Sequence, residues 1–231
     1  MTAWIAIGLF AVPLLAGALM FWVRPQGALL KLSLSFSGAF LLAVALLHML
    51  PELILEAGEE AGVWLLAGFL LQVILEFFSR GLEHGHMHLG AGSRLPAAVL
   101  VSLCLHAFIE GVPFAEPEVA NDMPFALGVM LHHFPVAIAL ALVLRSANAG
   151  GPMTWGYLAV FGAAAPAGIA FGMFIGPHFE EALSAALGVA LGMFLHIATT
   201  IIFESSKEHR IDRSRFAAVL VGCLLALAMV H

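Results

Sequence analysis

Charged side chains are scarce: Asp, Glu, Lys and Arg together make up 10% of the 231 residues, where a soluble domain carries about 25%. That excludes an ordinary water-facing surface. Cysteine is nearly missing. Cys104 and Cys223 both lie in apolar runs, which excludes a disulfide framework and reads as small hydrophobic packing. No stretch is left between the apolar runs for a sizeable soluble domain. Basic residues number nine against fifteen acidic ones, and no nucleic-acid partner is expected. The pattern His-Glu-x-x-His, which would signal a helix-borne metal hydrolase, is absent.

What is there is apolar length. The chain is 62% hydrophobic with a mean hydropathy of +1.03. Eight stretches fall near the roughly 20 residues a bilayer needs, at about 3–23, 28–50, 61–79, 95–115, 124–144, 153–176, 183–204 and 214–231. The expected fold class is therefore an all-α polytopic membrane protein, a single transmembrane domain over 1–231. The start is not expected to be a cleavable signal peptide, because no Lys or Arg precedes the first apolar run and Arg24 follows it.

The basic residues are confined to alternate loops: Arg24 and Lys31, Arg80 and Arg94, Arg145, then Lys207, Arg210, Arg213 and Arg215. The positive-inside rule makes these loops cytoplasmic, so both termini are expected outside. The other loops are acidic, with Glu52, Glu56, Glu59, Glu60, Glu116, Glu118, Asp122, Glu180 and Glu181. An acidic rim raises the local concentration of cations.

Boundary residues agree with these spans. Pro96, Pro124 and Pro152 sit where helices begin, and Ser93, Asp122 and Asp212 are candidate caps. Pro135 falls inside the fifth span, where it removes an amide and frees the Leu131 carbonyl. A weak internal repeat relates Gly38-Ala-Phe40-Leu, ending at Glu52, to Gly192-Met-Phe194-Leu, ending at Glu204. The two helices run in opposite directions, which predicts an inverted repeat of helices 1–3 and 6–8 around 4–5.

Two short segments place ionisable groups at bilayer depth: His106-Ala-Phe-Ile-Glu110-Gly111 and His132-His133-Phe-Pro135. Such groups are costly there and mark ion or substrate paths. His106 and Glu110 share one helix face, one turn apart, and two histidines from the next helix can close around a divalent cation. Glu110 is the only acid deep in the apolar spans. His84, His86 and His88 alternate in a loop of the basic set and can hold a borderline divalent metal loosely. His48 and Glu52 end the second span at the acidic side. His196 lies within the seventh span, Glu204 at its inner end and Glu76 late in the third. All but Glu76, which falls at the inner interface, are candidate groups along a metal path.

Taken together, these motifs resemble the ZIP (Zrt-/Irt-like protein) family of divalent metal transporters, in its bacterial type, over the whole chain. The family's fourth helix carries His-Asn-x-x-Glu-Gly, matched by His106, Glu110 and Gly111. Its fifth carries a relative of His-Glu-x-Pro-His-Glu, matched by His132 and Pro135. The ending His48-x-x-Pro51-Glu52 is similar to the family as well. The resemblance implies transport of Zn2+ or another divalent transition metal as substrate, an integral protein of the bacterial inner membrane in contact with lipid, a homodimeric partner, and no enzymatic activity. It also implies that helices 1, 4, 5 and 6 move as a unit against 2, 3, 7 and 8. The departures are specific: the family's Asn falls on Ala107, its acid before Phe-Pro on His133 and its ligand after the proline on Val136. Family members often bridge two metals with carboxylates. Here His106, Glu110 and His133, with His132 or water as a fourth ligand, are expected to hold one. Two His and a carboxylate suit zinc, and also cobalt, nickel or ferrous iron.

Two other functions fit parts of the pattern. A ZIP-like protein without transport would sense metal or scaffold a partner, and a membrane-embedded hydrolase would need a base beside an open zinc position. The charge pattern itself is testable. In a background lacking Cys104 and Cys223, an impermeant thiol reagent applied to intact cells is expected to label Glu118→Cys and to spare His86→Cys; the reverse labelling would invert the topology.

Overall fold

Within hydrocarbon a backbone amide has no water to bond, so an apolar chain satisfies its amides inside helices. The computed structural model, which describes residues 2–22, 27–84, 95–179, 181–204 and 212–230, shows helices and no strand among them. Eight are long and apolar enough to cross a membrane: α1 Thr2–Trp22, α2 Gly27–Ala57, α3 Glu60–Ser79, α4 Ala97–Gly111, α5 Met123–Ser146, α6 Gly151–Ile175, α7 Ala182–Glu204 and α8 Arg213–Val230. A 3-10 turn, Val112–Ala115, and a short helix, Pro117–Asn121, join α4 to α5.

The second helix runs further than the expected 28–50. It continues to Ala57 and stops at Gly58, whose φ is +56°. The difference arises at Pro51. In a regular helix its ring would strike the carbonyl four residues back. Here a π turn over Ala45–Met49 widens the helix just before it, and the chain goes on. His48 sits on that turn. Elsewhere the boundary signals act as read. Asp122 accepts the Phe125 amide at 2.6 Å, Asp212 accepts those of Ser214 and Arg215, and Pro124 and Pro152 lie in first turns. Ser93 falls outside the described residues.

The eight helices form two bundles, each held by backbone-to-backbone contact at glycine. In one, α3 lies on α7 and α2 on α8. A methyl group added at Gly192 would sit 2.0 Å from the Leu65 carbonyl oxygen, one at Gly68 2.0 Å from that of Val189, and one at Gly222 2.6 Å from that of Phe36. In the other, α4 lies on α6 and α1 on α5 and α6. A methyl at Gly168 would meet the Phe108 carbonyl at 1.9 Å, and one at Gly111 that of Ala165 at 2.1 Å. Exchanging helices 1–3 with 6–8 and 4 with 5 turns the α3–α7 pair into α8–α2 and the α4–α6 pair into α5–α1. This is the inverted repeat read from the sequence.

The bundles meet differently. α2 faces α5 and α3 faces α4, and at this seam Gly128 of α5 meets only side-chain atoms, of Leu41 and Phe40. Gly192→Ala is expected to push α7 off α3 and lower stability by about 1–3 kcal/mol. Gly62→Ala, where nothing lies within 4 Å of the added carbon, should be silent. Thermal melting of the two variants in detergent checks the pair.

Candidate metal centre

The buried polar groups gather at the seam. α4 carries His106 and Glu110 one turn apart, and α5 carries His132 and His133; all four are buried, with 0–1% of their surface exposed. Glu110 is the hub. His133 Nε2 lies 2.6 Å from its Oε2 and donates a hydrogen bond to it. His106 Nε2 faces Oε1 at 3.0 Å. The His132 ring stands edge-on to His106, with centroids 5.9 Å apart at 75°, and the His133 ring lies 5.5 Å from Phe161.

One ligand atom each from His106, Glu110 and His132 comes within 4.8 Å of the others. Nitrogen and oxygen atoms bound to a common zinc at about 2.0–2.2 Å lie about 3 Å apart, so a side-chain adjustment of an ångström or so would let the trio share one ion. Two imidazoles and one carboxylate form a donor set for zinc, cobalt, nickel or ferrous iron rather than for magnesium or calcium. Ala107 and Val136 flank the cluster, both buried, and neither side chain carries a donor.

One member has no counterpart in the sequence reading. Gln72, on α3 and fully buried, places its Oε1 3.0 Å from His106 Nδ1. A lone amide in an otherwise apolar span is the signal the sequence offers, although an amide is not a usual ligand for a transition metal. A second fully buried carboxylate also appears. Glu83, counted with the histidine-rich loop, is 0% exposed, because the turn Leu82–His84 tucks against α5 and α7. Its Oε2 accepts the Ser79 hydroxyl at 2.5 Å. Glu83 is thus a second fully buried acid among the described residues, set in the turn after α3 rather than within a span.

Other candidate path residues sit at the two ends. At the acidic end a cavity of about 820 Å³ is lined by Glu52, Glu56, Glu116, Glu118 and Asp122 among others. His48 Nε2 lies 2.6 Å from Asp122 Oδ2, and its Nδ1 3.7 Å from Glu52. Three fully buried phenylalanines, Phe114, Phe125 and Phe194, touch ring to ring, with Phe125 central at 5.1 and 5.9 Å. Phe114 follows α4 on its acidic side and Phe125 lies between Asp122 and His132 along α5. At the basic end His196 Nε2 meets Glu76 Oε2 at 2.5 Å, with Phe69 edge-on to the imidazole. Only the backbone of His84 and Glu204 is described, and His86 and His88 lie outside the described residues. Cys104 and Cys223 are free thiols within helices.

The family described as ZIP Zinc transporter matches residues 83–230, well over half of the chain and inclusive of every cluster residue but Gln72. The protein Zinc transporter 11 of Arabidopsis thaliana is 24% identical over 270 aligned positions, covering 96% of this chain and 82% of that protein.

Asp122 joins two duties, capping α5 and pairing with His48 of α2. Asp122→Ala is expected to cost about 1–2 kcal/mol, which lowers Tm by about 2–4 °C per kcal/mol in a chain of this size. Asp122→Asn, able to keep the cap, should cost less. Equal losses for the two would mean that the carboxylate charge, not the cap, carries the effect.

Proposed function

The chain belongs to the ZIP family of zinc transporters, and from that premise we propose that it carries divalent transition-metal ions, zinc foremost, across the membrane toward the cytoplasm through the His106–Glu110–His132 cluster. The observation that supports this best is the cluster itself: ligand atoms from two helices, fully buried, converge at the middle of an integral membrane protein.

A bare dication cannot enter hydrocarbon, so the protein must replace its water shell. His106, Glu110 and His132 do so here, while His133 holds the far oxygen of Glu110 and so aims the near one. A single carboxylate leaves the occupied site with about one positive charge. Binding is then weak enough to permit release, as conduction through any buried site requires. Imidazole binds metal only through a lone pair, so protons compete with the ion at each histidine.

The acidic cavity concentrates cations at the outer face. The three phenylalanines close the outer way to the site, and Glu76 with His196, then Glu83 and the His84, His86 and His88 segment, receive the ion on the inner side. The side-chain seam is where the bundle of α1, α4, α5 and α6 moves against that of α2, α3, α7 and α8. The direction of transport, the bacterial inner membrane as location and both termini outside are parts of this same reading, supported by the alternation of basic and acidic loops.

In sealed vesicles containing the pure protein, Glu110→Gln and His106→Ala are each expected to fold and to lose at least about tenfold in zinc uptake, the scale of losing a ligand or its support. His48→Ala, at the cavity rather than the cluster, should lose less. Wild-type uptake by both Glu110→Gln and His106→Ala would remove the site and favour a sensing or scaffolding role. Anomalous scattering from a form lacking His84, His86 and His88 should show one metal between α4 and α5. Two peaks about 4 Å apart, the spacing of two-metal sites, would refute the single-ion reading.

A further inference from the structure

We propose that Gln72 is the positioning residue of the metal centre: its side-chain carbonyl holds the proton of His106 on Nδ1, so that the Nε2 lone pair faces the ion. The inference rests on the cluster being the metal site. It adds a residue on a third helix, outside the region of the family match.

A histidine ligand has two nitrogens, and the one that binds metal is set by what the other is bonded to. His106 Nδ1 lies 3.0 Å from Gln72 Oε1, which can only accept. With Oε1 toward the ring a proton sits on Nδ1, and Nε2, 3.0 Å from Glu110 Oε1, is the nitrogen left to bind an ion. Glu110 is held in the matching way: His133 occupies Oε2 at 2.6 Å and leaves Oε1 toward the same point. His106 and Glu110 thus each have one atom tied by a neighbour and the other left toward the ion.

The placement of Gln72 is itself fixed. Ser102, one turn before His106 on α4, donates to the Leu75 carbonyl on α3 at 2.6 Å. Leu75 lies one turn after Gln72, so the two hydrogen bonds fall on successive turns of one helix contact and set its register. The other half of the amide gains nothing from the arrangement. Gln72 Nε2 is buried and has no hydrogen-bond partner among the described residues, a penalty of about 1–3 kcal/mol that an apolar residue would avoid. A purely structural position would not retain that cost; a carbonyl required at this point explains it.

An amide also differs from the carboxylate that often supports a histidine ligand. A carboxylate would make the imidazole more basic and tighten binding. The amide fixes the tautomer without a second negative charge beside Glu110, and so keeps the site releasable.

The test uses ZnCl2 as the probe and the full chain with His84, His86 and His88 replaced by Ser, so that binding reports the buried site. Calorimetry in detergent gives affinity, and vesicle uptake gives KM and kcat. Gln72→Leu is expected to bind zinc about 10–100-fold more weakly, the usual cost of losing such a support, with KM raised by a similar factor. Gln72→Glu should bind at least as tightly as wild type and turn over more slowly. Gln72→Leu added to His106→Ala should weaken binding no further, because the amide acts only through that ring. Gln72→Met serves if the leucine variant fails to fold. Wild-type affinity in Gln72→Leu or Gln72→Met, with affinity lost in His106→Ala, would overturn the role of Gln72 and leave the site standing. Losses that add in the double variant would make Gln72 merely structural, and that too would overturn it. Wild-type affinity in His106→Ala would bring down the site reading itself.

Discussion

Everything in this molecule is arranged around one carboxylate in a place where a carboxylate is costly. Glu110 is fully buried, and a charge without a partner at that depth costs several kcal/mol or more. The chain meets that cost locally. His133 donates to one oxygen and His106 faces the other, while Gln72 holds His106 from behind. Three helices must be in register for this to work. The cluster thus depends on the packing, and the packing of α3 on α4 is specified in part by the cluster.

The location of the cluster matters as much as its content. Glycines weld α3 to α7, α8 to α2 and α6 to α4 at distances where even a methyl group would strike backbone. Such contacts allow little sliding. The seam between the bundles is made of side chains, with two polar crossings near its middle, Gln72 to His106 and Ser102 to the Leu75 carbonyl. Ligands from one bundle are therefore held by a group from the other. If His106 is a ligand, as proposed, its contact with Gln72 across the seam couples the site to the relation between the two bundles.

The helices and the four central residues were legible in the sequence because both signals are strong and local, but their parts were not: His133, expected beside His106 and Glu110, is bonded to Glu110 Oε2, and His132, expected only as a fourth group, joins the trio. Length and apolarity set the spans, and a turn of helix relates His106 to Glu110 whatever surrounds them. The inverted repeat was legible more faintly, through Gly38 and Gly192, although the backbone approach on α8 is made by Gly222 against Phe36. What escaped depends on tertiary packing. Gln72 carries no sign of its partner thirty-four residues on, and Glu83 reads as a loop acid until the turn around it is seen folded under α5 and α7. The run of α2 past Pro51 was missed because one proline can either end a helix or be absorbed by a π turn. His48 and Asp122, on different helices, could be assigned to the acidic side but not to each other.

Charge economy explains the departures from the family pattern. Replacing an acid by His133, an amide by Ala107 and a ligand by Val136 removes donors and at least one negative charge from the centre. A dication held by several carboxylates in a medium of low dielectric would be bound tightly and released slowly, since each added charge acts with little screening. With one carboxylate, three imidazoles and a neutral amide behind them, the attraction is smaller and rests more on directed lone pairs. Directed lone pairs are sensitive to angle in a way that net charge is not. On the proposed reading, a site built from them loses its hold when a neighbouring helix shifts by a small amount, so geometry acts on release alongside the competition of protons for the imidazole lone pairs.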